Sequence, residues 1–311
     1  IRLNWVEGIE MEKVLITGGA GFVGTALIRK LLRKYKGVEI VSVDNYSSGL
    51  KSNHVKSNRV TYIDKDTRNL VAKKLDINNT KMDIADAYEP DVVFHFGEFS
   101  RIVTSFGCFD KCWDYNMQGT KMVLDYCIAK KAKLIYSASS SKFGNDGKDE
   151  NLSPYAWMKA KMVELIKNYS TWFDLKYEIT YFYNAYGPGQ VRTGDYATVI
   201  GIFEEQYSKG EPLTVVEPGN QSRDFTHIND IVSGVVLAAE KGRQDEYPLG
   251  TATSHKIIDV AKMFNHKHIM IPERRGERFY GKAIPSLTYQ HLGWSAKIKL
   301  EDYIKKIVDA R

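Results

Sequence analysis

The run Thr17-Gly18-Gly19-Ala20-Gly21-Phe22-Val23-Gly24 constrains this chain more than any other segment. An apolar segment, Val14-Leu15-Ile16, precedes it, and a helical pattern through Ala26-Leu27-Ile28 and Leu31-Leu32 follows. Strand, glycine turn and helix in that order form the phosphate end of a dinucleotide site. Glycine lets the backbone turn sharply and come close to a pyrophosphate, whose charge is then held by N–H groups at the helix start. Gly18, Gly21, Phe22 and Val23 are the candidate cofactor residues of this turn.

Further strand runs are Glu39–Val43, Val60–Ile63, Asp91–Phe96, Lys133–Ser137 and Tyr177–Tyr183. Several are apolar on both faces, as strands covered by helices on each side must be. Helical patterns over Gly21–Tyr35, Thr104–Lys130 and Pro154–Phe173 lie between them. This alternation predicts an α/β fold with a doubly wound parallel sheet, Rossmann-like in plan. After Tyr183 it stops, at the loop signal Gly187-Pro188-Gly189. Helices are then expected over Val199–Lys209, Asn229–Lys241, His255–Phe264 and Leu300–Val308. The expected division is a dinucleotide-binding domain over 11–184, rejoined by 222–245, and a smaller substrate-binding lobe over 185–311. Residues 1–10 precede Met11, carry no core pattern, and read as an extension or cloning remnant. In open parallel sheets ligands bind beyond the carboxyl ends of the strands, so the cleft belongs there.

A chain of 311 residues can bury one large core or two modest ones. Its net charge of +6 is spread among acidic neighbours with no long basic block. That pattern fits a mixed solvated surface and an anionic small substrate rather than nucleic acid. Cys108, Cys112 and Cys127 are too few, and odd in number, for a disulfide framework. They point to a reducing, cytoplasmic compartment. Cys108 and Cys112 stand a helical turn apart without a nearby His or Cys pair, so packing thiols are expected and no metal. No apolar run approaches the roughly 20 residues of a membrane span.

Three further elements carry chemistry. Asp44 ends the second strand, where a carboxylate accepts hydrogen bonds from an adenosine ribose diol. An acid there repels a 2′-phosphate, and the following Asn45-Tyr46 adds no base to reverse this, so NAD is favoured over NADP. Asp66 is either a contact to the adenine edge or a plain loop acid. Tyr155 and Lys159, four residues apart, share one helical face. A phenol with a pKa near ~10 is a poor base at neutral pH, but a neighbouring ammonium and an oxidised nicotinamide favour its phenolate. The loop Ser137-Ala138-Ser139-Ser140-Ser141-Lys142-Phe143-Gly144 offers a hydroxyl to share a proton with a reacting sugar oxygen.

Together the glycine turn, Asp44, the serine loop and the Tyr155/Lys159 pair resemble the extended short-chain dehydrogenase/reductases. Within them the chain is similar to NAD-dependent nucleotide-sugar epimerases of the UDP-galactose 4-epimerase type. The resemblance covers residues 12–311. It includes Asp91-Val92-Val93-Phe94-His95-Phe96-Gly97, Asn116-Met117-Gln118-Gly119-Thr120, Asn184-Ala185-Tyr186-Gly187-Pro188-Gly189, Arg223-Asp224-Phe225-Thr226-His227 and Arg274-Arg275-Gly276-Glu277.

By position the resemblance makes Ser139, five residues before Gly144, the catalytic hydroxyl, Tyr155 the base and Lys159 its partner. Phe96 and Gly97 would pass the cofactor. Asn184, Thr214, Val216, Arg223, Arg274 and Glu277 would hold the nucleotide-sugar, the arginines by paired hydrogen bonds to its diphosphate. Gly281 falls where the family lines the hexose pocket, which implies tolerance of N-acetyl sugars. His227 is expected to be structural. The dehydratases of the family carry an acidic pair where Ser140 and Ser141 stand here, so acid-assisted loss of water lacks its acid. The segment Asn145–Leu152 is shorter than usual, implying an open cleft mouth, and Glu98 has no assigned role. The activity implied is 4-epimerisation of a UDP-hexose. The alternatives are an epimerase or oxidoreductase acting on a GDP-, CDP- or dTDP-sugar, or a non-catalytic NAD-binding regulator. The resemblance also implies a homodimer pairing Thr104–Lys130 and Pro154–Phe173; Trp113, Tyr126, Met162 and Leu165 would serve that seam or else face the sheet.

Overall fold

A computed structural model describes residues 11–71, 83–143 and 149–310. Residues 1–10, Gly144 and residues 145–148 of the Asn145–Leu152 loop lie outside the described residues, so the expectations placed on them are left there. The strands are β1 (Lys13–Thr17), β2 (Glu39–Asp44), β3 (Val60–Asp64), β4 (Val92–His95), β5 (Lys133–Ser139), β6 (Tyr177–Phe182), β7 (Ala185–Tyr186), β8 (Leu213–Val216), β9 (Ser222–Asp224), β10 (Thr226–His227), β11 (Glu246–Leu249), β12 (Ser254–Lys256) and β13 (His268–Ile271). The α-helices are α1 (Phe22–Lys34), α2 (Ile84–Ala87), α3 (Ile102–Ser105), α4 (Phe109–Trp113), α5 (Thr120–Lys130), α6 (Pro154–Phe173), α7 (Val199–Lys209), α8 (Ile228–Lys241), α9 (Ile257–Met263), α10 (Ser286–Leu292) and α11 (Leu300–Asp309).

Seven strands form one parallel sheet in the order β11-β6-β5-β4-β1-β2-β3. Successive side chains of a strand face opposite ways. Leu15 of β1 therefore enters a core with Val123 and Leu124 of α5 and Val163 and Ile166 of α6. Its neighbours Val14 and Ile16 enter the opposite core, with Leu27, Ile28 and Leu31 of α1 and Ile231 and Val235 of α8. A third core joins α7, β8, α9 and α11 through residues such as Phe203, Val215, Phe264 and Ile304. Strand β11 forms the sheet edge beside β6. Its Pro248 lacks an N–H, which an edge strand tolerates.

The helix that carries Tyr155 is firmly begun. Ser153 Oγ accepts from Ala156 N at 3.1 Å, Pro154 stands in the first turn, and Asp174 ends the helix at φ +58°. In contrast, Thr104–Lys130 is not the single helix expected. It is broken into α3, α4, a π-helical turn over Asp114–Gly119, and α5. The π turn brings the buried Asn116 side chain inward, where its Oδ1 accepts from Phe99 N at 2.7 Å and its Nδ2 donates to Phe99 O at 2.9 Å. A side chain thus satisfies the backbone of the loop after β4, and a regular helix gives way to allow it. Tyr126 and Met162 are buried within the chain, and Trp113 stays partly exposed.

Candidate active site

The carboxyl ends of β1, β2, β4, β5 and β6 open on a cavity of about 370 Å³. Gly18 turns the chain at its floor with φ +73°, and a Cβ there would sit 2.8 Å from Gly97 N. A Cβ on Gly24 would lie 2.2 Å from Gly18 O. The turn therefore closes only with glycine at both places. Gly21 precedes α1 without a side-chain cap, so the first N–H groups of the helix stay available to an anion. Asp44 ends β2 nearly buried; its Oδ2 accepts from Ala20 N at 2.9 Å and its Oδ1 from Tyr46 N at 2.8 Å. Burial raises its pKa, and the two N–H groups oppose that rise. Gly18, Gly21, Phe22, Val23, Asp44, Asn45, Phe96 and Gly97 all line the cavity, a glycine cradle with an acid at its far end that fits a dinucleotide. Asp66 does not line it. Its carboxylate is held by Asn45 Nδ2 at 2.9 Å and by Arg68, which also pairs with Asp114 at 2.6 Å. Burial alone would raise the Asp66 carboxyl, but the Arg68 hydrogen bonds outweigh it and hold the pKa below its usual value.

The reactive end lies across the same cavity. Ser139 closes β5, Tyr155 begins the second residue of α6, and their side chains are hydrogen bonded. Ser141 sets the direction of that bond. Its hydroxyl donates to Ser139 Oγ at 2.8 Å and its N–H at 3.3 Å, which leaves the Ser139 proton for Tyr155. Burial pushes the Tyr155 phenol up to about 12; Ser139 and Arg101 pull it down, and Glu98 pushes it further up. Lys159, one turn along α6, donates to the backbone oxygen of Ser137 and forms a buried ion pair with Glu98. Burial lowers the Lys159 pKa against the opposing influence of Glu98.

On the substrate side, Asn184 and Arg223 line the cavity. Asn184 Nδ2 donates to Asp224 O at 2.7 Å. Arg223 donates to Glu277 Oε1 at 2.6 Å, which joins the two arginine-bearing motifs. Asp224 pins the surrounding loops by accepting from the backbone N–H groups of Thr251, Ala252 and Ala283. His227 accepts from Asn229 N at 3.2 Å and caps α8, a structural role.

Residues 14–250 match the NAD dependent epimerase/dehydratase family. The chain belongs to that family. Its cofactor is NAD, and it is an NAD-dependent epimerase or dehydratase. It is 27% identical over 95% of its length to a putative UDP-glucose 4-epimerase of Methanocaldococcus jannaschii, covering 97% of that protein. It is 30% identical over 80% of its length to an ADP-L-glycero-D-manno-heptose-6-epimerase of Brachyspira hyodysenteriae, covering 79% of that protein. Among solved structures it resembles the UDP-glucuronic acid 4-epimerase of Bacillus cereus in complex with UDP-glucuronic acid and NAD. The identity is 25%, the TM-score 0.82, and the coverage 96% of this chain and 98% of that one.

Within this family member, five of the expected substrate residues, Thr214, Val216, Arg274, Glu277 and Gly281, stand outside the cavity lining. Thr214 exchanges two hydrogen bonds with the Gln206 side chain of α7, and Val216 ends β8; neither lines the cavity. Arg274 is also away from the lining, and Arg278 occupies it instead, with Nη1 at 3.5 Å from Ser140 Oγ. Gly281 backs that arginine: a Cβ there would lie 1.7 Å from Arg278 Nη2. Sequence reasoning missed Arg101, Glu98, Ser141 and Arg278, all of which line the cavity. The signal for Arg278 was its place directly after the Arg274-Arg275-Gly276-Glu277 motif. No helix among the described residues is long and apolar enough to cross a membrane. No cluster of His, Cys, Asp or Glu among them could hold a metal ion.

Proposed function

We propose that this protein is an NAD-dependent 4-epimerase of a UDP-hexose, with the UDP-Glc/UDP-Gal pair first and UDP-GlcNAc/UDP-GalNAc second. One observation carries the reading. Ser139 and Tyr155 are hydrogen bonded in the glycine-floored cavity, and the adjoining positions hold Ser140 and Ser141 rather than acids. Removing and returning hydrogen at one carbon needs a base that becomes an acid, and expulsion of a hydroxyl as water needs a further proton donor. NAD, when bound, supplies the hydride acceptor that later gives the hydride back.

The chain supplies proton handling and grip. Tyr155 oxygen takes the proton of the sugar 4-hydroxyl, with the Ser139 hydroxyl donating to the same oxygen. Arg223 and Asn184 hold the nucleotide end, so the oxidised sugar turns in the cleft without escaping. Once the sugar has presented its other face, Tyr155 returns the proton to the 4-oxygen. Arg278 is placed to act beside Ser140 and Gly281, at the sugar end, and its bulk there puts the plain hexoses ahead of the N-acetyl forms.

The test is incubation of the purified enzyme and NAD with UDP-, ADP-, GDP-, CDP- and dTDP-sugars, with products separated by chromatography. Interconversion of a UDP-hexose pair is expected, and failure on every UDP-hexose overturns the reading. The relative named for an ADP-heptose supports a second reading, epimerisation of a different nucleotide-sugar, which the same panel detects. We further propose a homodimer, built on the face where Phe109 and Trp113 stack in partial exposure, and a reducing compartment suited to three free cysteines. Light scattering at twice the chain mass tests the first.

A further inference from the structure

Glu98 follows Gly97 on the cavity wall, and the mechanism above gives it no part. Its side chain is 3% exposed. One oxygen pairs with the Lys159 ammonium; the other accepts from Thr120 Oγ1 and Tyr136 OH, each at 3.0 Å. A carboxylate only accepts, so it fixes the direction of every bond beyond it. Thr120 donates to Glu98, so its oxygen takes the N–H of His95 Nε2 at 2.9 Å. His95 Nδ1 then accepts from Thr17 Oγ1 at 2.6 Å. The Thr17 oxygen receives the N–H groups of Phe96 at 3.2 Å and Gly97 at 3.0 Å. One polarised chain therefore runs from the strand end before Gly18 to the lysine beside Tyr155.

We propose that Glu98 is a positioning residue that engages the Lys159 ammonium and so keeps Tyr155 resting as a phenol. An ammonium paired with a carboxylate acts on a third group as a dipole, whose influence falls off faster than that of a lone charge. The groups acting on Tyr155 come from every side. Glu98 and Arg101 stand on the loop after β4, Cys112 on α4, and Tyr136 and Ser139 on β5, while Lys159 stands one turn along the helix that carries Tyr155. Glu98 is the carboxylate among them, and its influence on the phenol runs in the same direction as burial. Arg101 bonds to the backbone oxygens of Asp195 and Ser100 and lies over the Tyr196 ring, so its charge still acts on Tyr155. Lys159 keeps other support if Glu98 is removed, from Ser137 O and from the Tyr136 ring at 4.3 Å. Its ammonium would then act on Tyr155 uncompensated.

This inference rests on Tyr155 as the acid/base of the proposed function, but its test needs no turnover. Tyr155 ionisation is followed by phenolate absorbance in the NAD-saturated enzyme, with Tyr155→Phe as the blank. In Glu98→Gln the midpoint should fall by at least about one pH unit, tenfold more phenolate at any pH below it. Glu98→Asp keeps the charge and should return the midpoint to near the wild-type value. A midpoint unchanged or raised in Glu98→Gln overturns the proposal. Where Glu98→Gln does not fold, judged by melting and NAD binding, Glu98→Met takes its place under the same criterion. A protein inactive on every nucleotide-sugar would still give this titration, so the two failures are distinguishable.

Discussion

Replacing Gly18 by alanine tests whether the cavity floor is built as described. Alanine at φ +73° enters the left-handed region at a cost of about 1–2 kcal/mol. Its Cβ would also lie 2.8 Å from Gly97 N and 2.9 Å from Phe96 C, both backbone atoms. Those atoms cannot retreat freely, because Phe96 N donates to Thr17 O at 3.1 Å and ties the ends of β1 and β4 together. Strain and clash together should cost roughly 2–4 kcal/mol. For a chain of this size that lowers Tm by roughly 5–10 °C. NAD affinity should fall at least about tenfold, since the displaced loop forms the cofactor wall. The control is Gly37→Ala, where a Cβ meets nothing within 4 Å; both quantities should stay at wild-type values. Differential scanning fluorimetry and a cofactor titration measure them. A Gly18→Ala protein with unchanged Tm and unchanged NAD affinity would refute the reasoning.

Tyr155→Phe should lower kcat by roughly 10²–10⁴-fold while leaving the NAD Kd within a few-fold, as steady-state rates and a binding titration would reveal. Ser141→Ala removes the donor that directs the Ser139 proton, so kcat should drop by roughly tenfold with little change in KM; a raised KM with kcat unchanged would point to lost binding instead. His95 is buried and held down to about 4 by loss of solvation. The unfolded chain, with an ordinary histidine near ~6.5, takes up its proton first. This contribution is complete above about pH 6.5 and should be lost as pH falls towards 4, by up to about 3 kcal/mol. Urea unfolding at pH 7 and pH 4.5 should resolve it, and His95→Asn should flatten the difference.

The sheet was legible because its strands are buried on both faces and so read as short apolar runs between helical periods. Pro154–Phe173 was legible for a local reason: Ser153, Pro154 and the turn at Asp174 mark its ends. Thr104–Lys130 was misread because helical periodicity survives a π turn, and only the inward pull of Asn116 on Phe99 breaks the helix. Strand β11 was hidden by Pro248 and by its shortness. In the site, the spacing of Tyr155 and Lys159 placed them on one helical face, whereas Ser139 was picked out only through the resemblance, five residues before Gly144; all three line the same cavity. The Glu98–Lys159 pair joins residues 61 apart in sequence, so no local pattern announces it. The motif that opens at Arg274 was found, but the arginine that turns inward is Arg278, just beyond it, and its room beside Gly281 is set by packing rather than by local sequence.

In the proposed reaction Tyr155 and NAD remove and restore hydrogen at one sugar carbon. The most direct measurement uses a UDP-hexose deuterated at C4, with the product examined by mass spectrometry and NMR. The expected product is the C4 epimer at unchanged mass with deuterium still on C4. A product lighter by one water, or deuterium moved to another carbon or lost to solvent, would contradict it.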